Sequence, residues 1–288
     1  MTNAYAPELA ARQVTRMREE LEKRGATVDV MRNGYCNAGI SDGNAYMIAD
    51  CDFCLFLDKD KYAARLLEKR GVRLFDRADA IELCDDKMLT HVALAGNGIP
   101  MPDTVAGTLC YYPDAVPSKI FLDGVESRLG YPVVVKLAYG SMGNGVFMAN
   151  DRAELDALAE RVKLYPHLFQ RYVAQSHGKD MRVIVIGDRV MGGIIRSSNN
   201  GDFRSNVGLG GSAKKAAVPQ CVAETAVKAA KIMGLDYCGI DFLLSDVPML
   251  CEVNSNAFFD AFEQTTGIDV AGAYAERIIS ETARSYKQ

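Results

Sequence analysis

Near the C-terminal end of the chain, two apolar runs, residues 237–244 and 248–253, flank the turn-forming trio Ser245, Asp246 and Val247. Two antiparallel strands joined by a short turn satisfy that layout. Yet the first run contains Asp241, and the second ends in Glu252-Val253-Asn254. Pairing the strands brings Asp241, Glu252 and Asn254 together, and the two-residue strand period points Glu252 and Asn254 to one face. Two carboxylates and an amide oxygen form a hard, all-oxygen set suited to Mg²⁺, or to Mn²⁺ in its place. Such a cation normally also holds phosphates. The alternative is a solvated Asp241 in a plain hairpin, with Asn254-Ser255-Asn256 as polar loop. Against it stands the cost of placing an acid in an apolar run unless it is paired or metal-bound.

At 288 residues the chain is long enough for two or three compact units. A formal net charge of -4 with 24% charged residues gives no general attraction to nucleic acid or to an anionic membrane. No apolar run reaches membrane-span length, and the N-terminus lacks a signal-peptide layout, so the cytoplasm is the expected location. Of eight cysteines, Cys51, Cys54, Cys238 and Cys251 lie in apolar strand-like runs, which predicts free buried thiols. Cys51-x-x-Cys54 has no second pair at a compatible distance and reads as structural. His91, His167 and His177 are too scattered for a metal cluster or a triad, which argues against histidine chemistry.

The pattern along the chain predicts a helix at 7–24 and strands at 26–31, 46–57 and 72–75, with a helix at 59–71 between the last two. This is a small parallel α/β unit, and because it opens on a helix either its start is truncated or its first strand is very short. Helices follow at 87–96, 114–129, 151–161, 220–233 and 270–284. Strands are expected at 104–109, 133–136, 146–149, 167–173, 181–186 and 189–196, with a glycine-rich polar loop at 197–212.

Lys136 ends a run of valines and so projects a charge from an otherwise buried strand. Behind it, residues 139–146 carry Gly140, Ser141, Gly143 and Gly145, whose spacing lets backbone amides form an anion-binding concavity. The glycines precede a strand and lack Walker A spacing, so a P-loop or Rossmann reading fails. A glycine-rich hairpin over phosphates remains, alongside an ordinary glycine turn with no ligand. The 197–212 loop carries Arg204-Ser205-Asn206, with Gly208, Gly210 and Gly211 nearby. Arg204 suits bidentate contact with a phosphoryl or carboxylate group; its alternative is a solvated surface arginine.

Taken in order, Lys87, Lys136 with its glycine turn, residues 170–173, Asp180, Arg204-Ser205-Asn206, Asp241 and Glu252-x-Asn254 resemble the ATP-grasp superfamily. The nearest likeness is to RimK-type amino-acid ligases, which include glutamate ligases and LysX-like enzymes. It covers roughly residues 80–280 and is most specific at 201–206, 252–256 and 265–270. The resemblance implies an α/β chain, α+β in its ATP-binding part, with an ATP-grasp fold. It also implies three units: a pre-ATP-grasp domain at 1–84, a central subdomain at 85–172 and a C-terminal subdomain at 173–288. Lys87 and Lys136 match the lysines that contact ATP phosphates, and the Gly140–Gly145 turn matches the phosphate cover. Gln170, Arg171, Tyr172 and Val173 match the linker at adenine, and Asp180 the acid at the ribose. Arg204, Ser205 and Asn206 match the segment reaching the triphosphate, and Asp241, Glu252 and Asn254 the Mg²⁺ ligands. Arg171 departs from the acidic residue common in these ligases, which puts the tuning of nucleotide preference in question.

The implied reaction is ADP-forming C–N ligation. A carboxylate attacks the γ-phosphorus of ATP, and an amine then displaces phosphate from the acyl phosphate. Lys136, Arg204 and Arg182 are the candidates for charge neutralisation. Arg196, Ser255 and Asn256 are candidates for substrate binding, with surface ion pairs as the alternative for the two strand arginines. The expected substrates are an amino acid such as glutamate and a small-molecule, peptide or carrier-bound carboxylate, acted on by a dimer or tetramer. A small-molecule kinase and a non-catalytic nucleotide-binding protein are the competing readings.

Overall fold

The computed structural model describes residues 1–285 apart from 6, 7, 9, 48, 49, 142 and 206–210. Helix α1 (Ala11–Glu22) buries Met17 and Leu21 on its apolar stripe. Residues 26–31 form no ladder, contrary to the strand expected there; only Arg32 pairs, through a parallel bridge to Thr2. Thr2 bridges Leu57 on its other side, so it stands between the two segments at the place of an opening strand. The strand expected at 46–57 is also divided. β1 (Ala38–Ser41) and β2 (Asn44–Met47) form a hairpin around Asp42-Gly43, both at positive φ, a dipeptide that fits a primed turn. β3 (Phe53–Leu55) then pairs in parallel with β4 (Arg73–Phe75) across α2 (Lys61–Lys69), whose N-terminus is capped by Asp60. All eight cysteines are free, but Cys51 is exposed and Cys54 only half-buried, so that pair does not form the buried thiols expected.

α3 (Ala78–Asp85) was not foreseen, and it runs directly into α4 (Lys87–Leu94). The Asp86 carboxylate accepts from the Met88 and Leu89 N–H groups, a cap that fixes Lys87 as the first residue of the second helix. The next unit comprises β5 (Thr104–Ala106), α5 (Lys119–Leu129), β6 (Val133–Leu137), β7 (Val146–Ala149), α6 (Arg152–Val162) and β8 (His167–Arg171). Its strands form an antiparallel sheet in the order β5-β8-β6-β7. Val133, Val135 and Phe169 pack against Leu122, Val125, Leu155 and Ala159 of the two helices. Alternation therefore points Val134, Lys136 and Gln170 to the other face.

The C-terminal unit holds β9 (Lys179–Ile186), β10 (Arg189–Ser197), β11 (Ser212–Ala216), α7 (Gln220–Met233), β12 (Tyr237–Leu243), β13 (Met249–Asn254), α8 (Asp260–Thr266) and α9 (Val270–Ser285). Its five strands are antiparallel in the order β11-β10-β9-β12-β13. One face, with Val183, Val185, Ile240 and Phe242, packs on α7 residues including Ala226 and Ala230. On the opposite face, Ile184, Ile186, Ile194 and Tyr237 join Met17 of α1 and Phe262, Tyr274 and Ile278 of α8 and α9. That second apolar patch occupies only part of its face. Asp180, Arg182, Arg196 and Asp241 fall on the same parity and fill the rest. Among the described residues no helix is long and apolar enough to cross a membrane.

Gly239 marks where the segment after β13 closes down on this sheet. A Cβ there would lie 2.5 Å from the Ala257 Cβ, which is anchored directly to the backbone. Gly239→Ala is expected to lower stability by about 1–3 kcal/mol through overpacking. Urea denaturation followed by circular dichroism measures this, and an unchanged midpoint would refute it.

Candidate active site

A cleft with an empty volume of about 970 Å³, its open mouth included, lies between the polar faces of the two larger sheets. β6 and β8 line it with Val134, Lys136, Gln170 and Arg171, and the following residues Tyr172 and Val173 continue the wall. The facing sheet contributes Asp180, Arg182, Arg196, Asp241, Leu243, Cys251, Glu252 and Asn254. Lys87, Gly140, Ser141, Gly143, Arg204 and Ser205 also border it. Most of the residues singled out in the sequence are thus brought to one space. Gly145, Ser255 and Asn256 are not on its wall, and Asn206, with Gly208 and Gly210, lies outside the described residues.

Each of the three that stand apart has another place. Gly145 adopts φ +77°, its carbonyl accepts from the Leu137 N–H at 2.8 Å, and a Cβ would meet the Leu137 side chain at 2.9 Å. It therefore closes the β6–β7 turn rather than facing a ligand. Ser255 is buried just past the end of β13, and the Asn256 Oδ1 accepts from Gln13 Nε2 at 3.4 Å.

The centre of the site is a buried ion cluster. Arg182 donates from Nε and Nη2 to the two oxygens of Asp241, each at 2.7 Å. Arg196 donates to Asp241 Oδ2 at 2.9 Å and holds Asp180 by a second bidentate pair, with its Nε at 2.7 Å from Oδ1. Strand register makes these contacts direct, because Arg182 sits opposite Asp241 and Arg196 opposite Asp180. Arg196 is only 5% exposed and Asp241 4%, so the surface ion pair weighed as an alternative for these arginines does not apply. Burial works against the Asp241 carboxylate, but Arg182 and Arg196 outweigh it and hold its pKa below the ordinary value. Burial likewise opposes the Arg196 charge, and Asp241 and Asp180 overcome it, raising its pKa.

Asp241 lies opposite Glu252 in the β12–β13 ladder, and Asn254 lies two residues further on. The register shifts just past that pair, from Asp241↔Glu252 to Phe242↔Leu250, which leaves Cys251 as an extra residue. This β-bulge re-aims the strand and turns Cys251 toward the cleft, a wall residue that hydrophobic spacing did not reveal. Among the described residues no group of three or more His, Cys, Asp or Glu side chains could hold a metal ion. A cation here would rest on two carboxylates and the Asn254 amide, the sparse protein set that Mg²⁺ uses when phosphates complete its shell. Asn254 Nδ2 is buried with no hydrogen-bond partner. Rotating the amide exchanges its nitrogen and oxygen, so that vacant position is one where an oxygen could meet a cation.

The cationic side chains come from both sheets and from α4. Lys87 Nζ donates to the Gly140 carbonyl at 2.7 Å and lies 3.7 Å from Glu252 Oε1. Burial pushes its ammonium pKa down, against the pull of Glu252. Lys136 Nζ donates to Gln170 Oε1 at 2.6 Å and lies 3.3 Å from Cys251 Sγ. Arg204 is forked onto Asp202, with Nη2 at 2.6 Å from Oδ2, and donates from Nη1 to the Gly143 carbonyl at 3.0 Å. The side chain of Arg171, the departure noted in the sequence, pairs with Asp103 at 2.8 Å and with the Arg128 carbonyl.

Removing one member of the buried cluster would strand charges. Arg196→Met is expected to cost about 3–5 kcal/mol, because Asp180 loses its guanidinium and Asp241 one of its two. Chemical denaturation tests this, and a loss below about 1 kcal/mol would show the cluster to be solvated.

The geometry agrees with relationships to known proteins. Residues 84–278 match the RimK-like ATP-grasp domain model. The chain is 40% identical over 226 residues to N-acetylaspartylglutamate synthase A from Homo sapiens, covering 77% of this chain and 56% of that protein. It therefore spans only about half the length of that relative. A probable alpha-L-glutamate ligase from Citrobacter koseri is 36% identical over 213 residues, 73% of this chain and 68% of its own. In structure, the chain resembles the ATP-grasp ligase PsnB solved with a phosphomimetic precursor variant, Mg and ADP. The TM-score is 0.68 at 17% identity, over 98% of this chain and 97% of that one. With a family model matching most of its length and relatives well above 30% identity, the chain belongs to the RimK-like ATP-grasp family.

Proposed function

We propose that the cleft binds ATP with Mg²⁺ and that the chain is an ADP-forming ligase joining a carboxylate to the amine of an amino acid, glutamate first among them. The observation that carries this reading is the convergence of two opposite charge sets on one space. Lys87, Lys136 and Arg204 gather around the glycine turn on one side, and Asp241, Glu252 and Asn254 supply oxygens on the other. A polyphosphate with a divalent cation satisfies both at once. The names of the relatives from Homo sapiens and Citrobacter koseri share glutamate as a component or substrate, which supports the choice of amino acid.

In this reading Lys87, Lys136, Gly140, Ser141, Gly143, Arg204 and Ser205 take the phosphates, while Gln170, Arg171, Tyr172 and Val173 border the nucleoside. A substrate carboxylate oxygen forms a bond to the γ-phosphorus as the bond to ADP breaks. The amine then attacks the acyl carbon, the C–N bond forms, phosphate leaves and the amine proton passes to solvent. Mg²⁺ held by Asp241, Glu252 and Asn254 would draw charge from the phosphoryl oxygens. Arg182 is the less buried of the two strand guanidiniums, with 19% of its side chain exposed, and is the one placed to meet an acyl phosphate; Arg196 serves as counter-ion to the two aspartates. No protein nucleophile is required. Burial pushes the Cys251 thiol up, which keeps it protonated at neutral pH. The units expected at 1–84, 85–172 and 173–288 and the dimeric or tetrameric state belong to the same proposal.

ADP release from Mg²⁺ and ATP, measured with glutamate against a panel of carboxylates and with mass spectrometry on each hit, tests this reading. The expected result is turnover that needs both co-substrates and yields a new amide. Lys136→Met and Asp241→Asn should each lower the rate by about 10² or more, and chelation by EDTA should abolish it. A phosphorylated carboxylate without amide would favour the kinase reading, and nucleotide binding without turnover on any pair the non-catalytic one.

A further inference from the structure

We propose that His91 is a positioning residue for the nucleotide phosphates, acting through Gln170 to hold the Lys136 ammonium in the cleft. This rests on the reading that the cleft binds ATP. Lys87 and His91 are four residues apart on α4, share one face of that helix and are both buried. Lys87 enters the cleft directly, whereas His91 stands behind its wall and touches Gln170.

The chemistry of the donors fixes every orientation in this chain of contacts. An ammonium group only donates, so the Gln170 atom 2.6 Å from Lys136 Nζ is the amide oxygen. The amide nitrogen then points the other way, toward Thr104 Oγ1 at 3.0 Å and His91 Nε2 at 3.1 Å. His91 Nε2 must accept, which places the ring proton on Nδ1. Gln170 itself cannot drift, because β8 is an inner strand with Thr104 and Val134 paired on either side. What remains free is rotation of its amide, and His91 and Thr104 remove that freedom.

The ring is suited to stay an acceptor. Burial, reinforced by the nearby Lys136 charge, pushes its pKa down to about 4, so it remains neutral throughout the physiological range. Without a fixed Gln170 oxygen, the other side-chain partner of Lys136 among the described residues is the Cys251 sulfur, a weak acceptor. The lysine would then sample several rotamers, and ordering it would fall to the ligand.

Calorimetric titration of Mg²⁺ and ATP into the full chain tests this without requiring turnover. His91→Leu removes the acceptor and is expected to weaken ATP about tenfold, the scale of one hydrogen bond to a charged partner's support. His91→Gln, which can offer an amide oxygen to Gln170, should recover most of that loss. In a Lys136→Ala background His91→Leu should have no further effect, because its influence passes through the lysine. Should His91→Leu not fold, His91→Met, equally without a neutral nitrogen acceptor and more forgiving in packing, carries the same comparison. Unchanged affinity in the folded variant, or an undiminished loss in the Lys136→Ala background, would overturn the proposal. Failure of the wild-type chain to bind ATP would sink the nucleotide reading instead.

Discussion

The buried exchange of charge among Asp180, Arg196, Asp241 and Arg182 is the constraint around which the larger sheet is arranged. Two acids and two guanidiniums on three adjacent strands leave no net charge, and each acid is held through both oxygens. Taking these ions from water is costly, so the arrangement holds only where the geometry is good and the hydrogen bonds are complete. Strand register supplies that geometry, since the pairs are cross-strand neighbours. A one-residue slip of any one of these strands would send its members of the cluster to the opposite face, where Val183, Ile240 and Phe242 lie. The ion cluster thus specifies the register as firmly as the apolar contacts do.

The same sheet face changes character along its length. At one end Ile184, Ile186, Ile194 and Tyr237 form a core with α8 and α9; at the other lie the charged residues of the cleft. No separate scaffold stands between packing and site. Gly239 sits at the border, where Ala257 presses onto the sheet just beyond the Asn254 amide.

Much of this was legible in the sequence where the signal is local. The valine run that ends in Lys136 announced a charge on a buried strand, and the two-residue period placed Glu252 and Asn254 on one face. The helix at 220–233 has the bounds that its apolar spacing indicated. What escaped reading depends on contacts distant in sequence. β11 carries Lys214 and Lys215 and has no strand-like pattern; it forms because β10 offers an edge. The bulge at Cys251 is a property of pairing and cannot be seen in either strand alone. Arg182 and Arg196 were recognisable as strand arginines, but their aspartate partners are set by the sheet. His91 was set aside because histidines usually matter as clusters, whereas here one imidazole serves as a fixed hydrogen-bond acceptor.

The glycine turn carries a thermodynamic consequence. Lys87 holds the Gly140 carbonyl and Arg204 the Gly143 carbonyl, so two of the cations that face the cleft are already satisfied by the chain's own backbone. An incoming anion does not meet bare charges; it exchanges partners with an internal rival. The free energy gained is the difference between an anionic and a carbonyl acceptor, less the work of releasing the turn. Such self-competition trims affinity while sharpening selectivity, because ligands with one weak negative group return too little to displace both carbonyls, and a ligand with several anionic oxygens displaces them together.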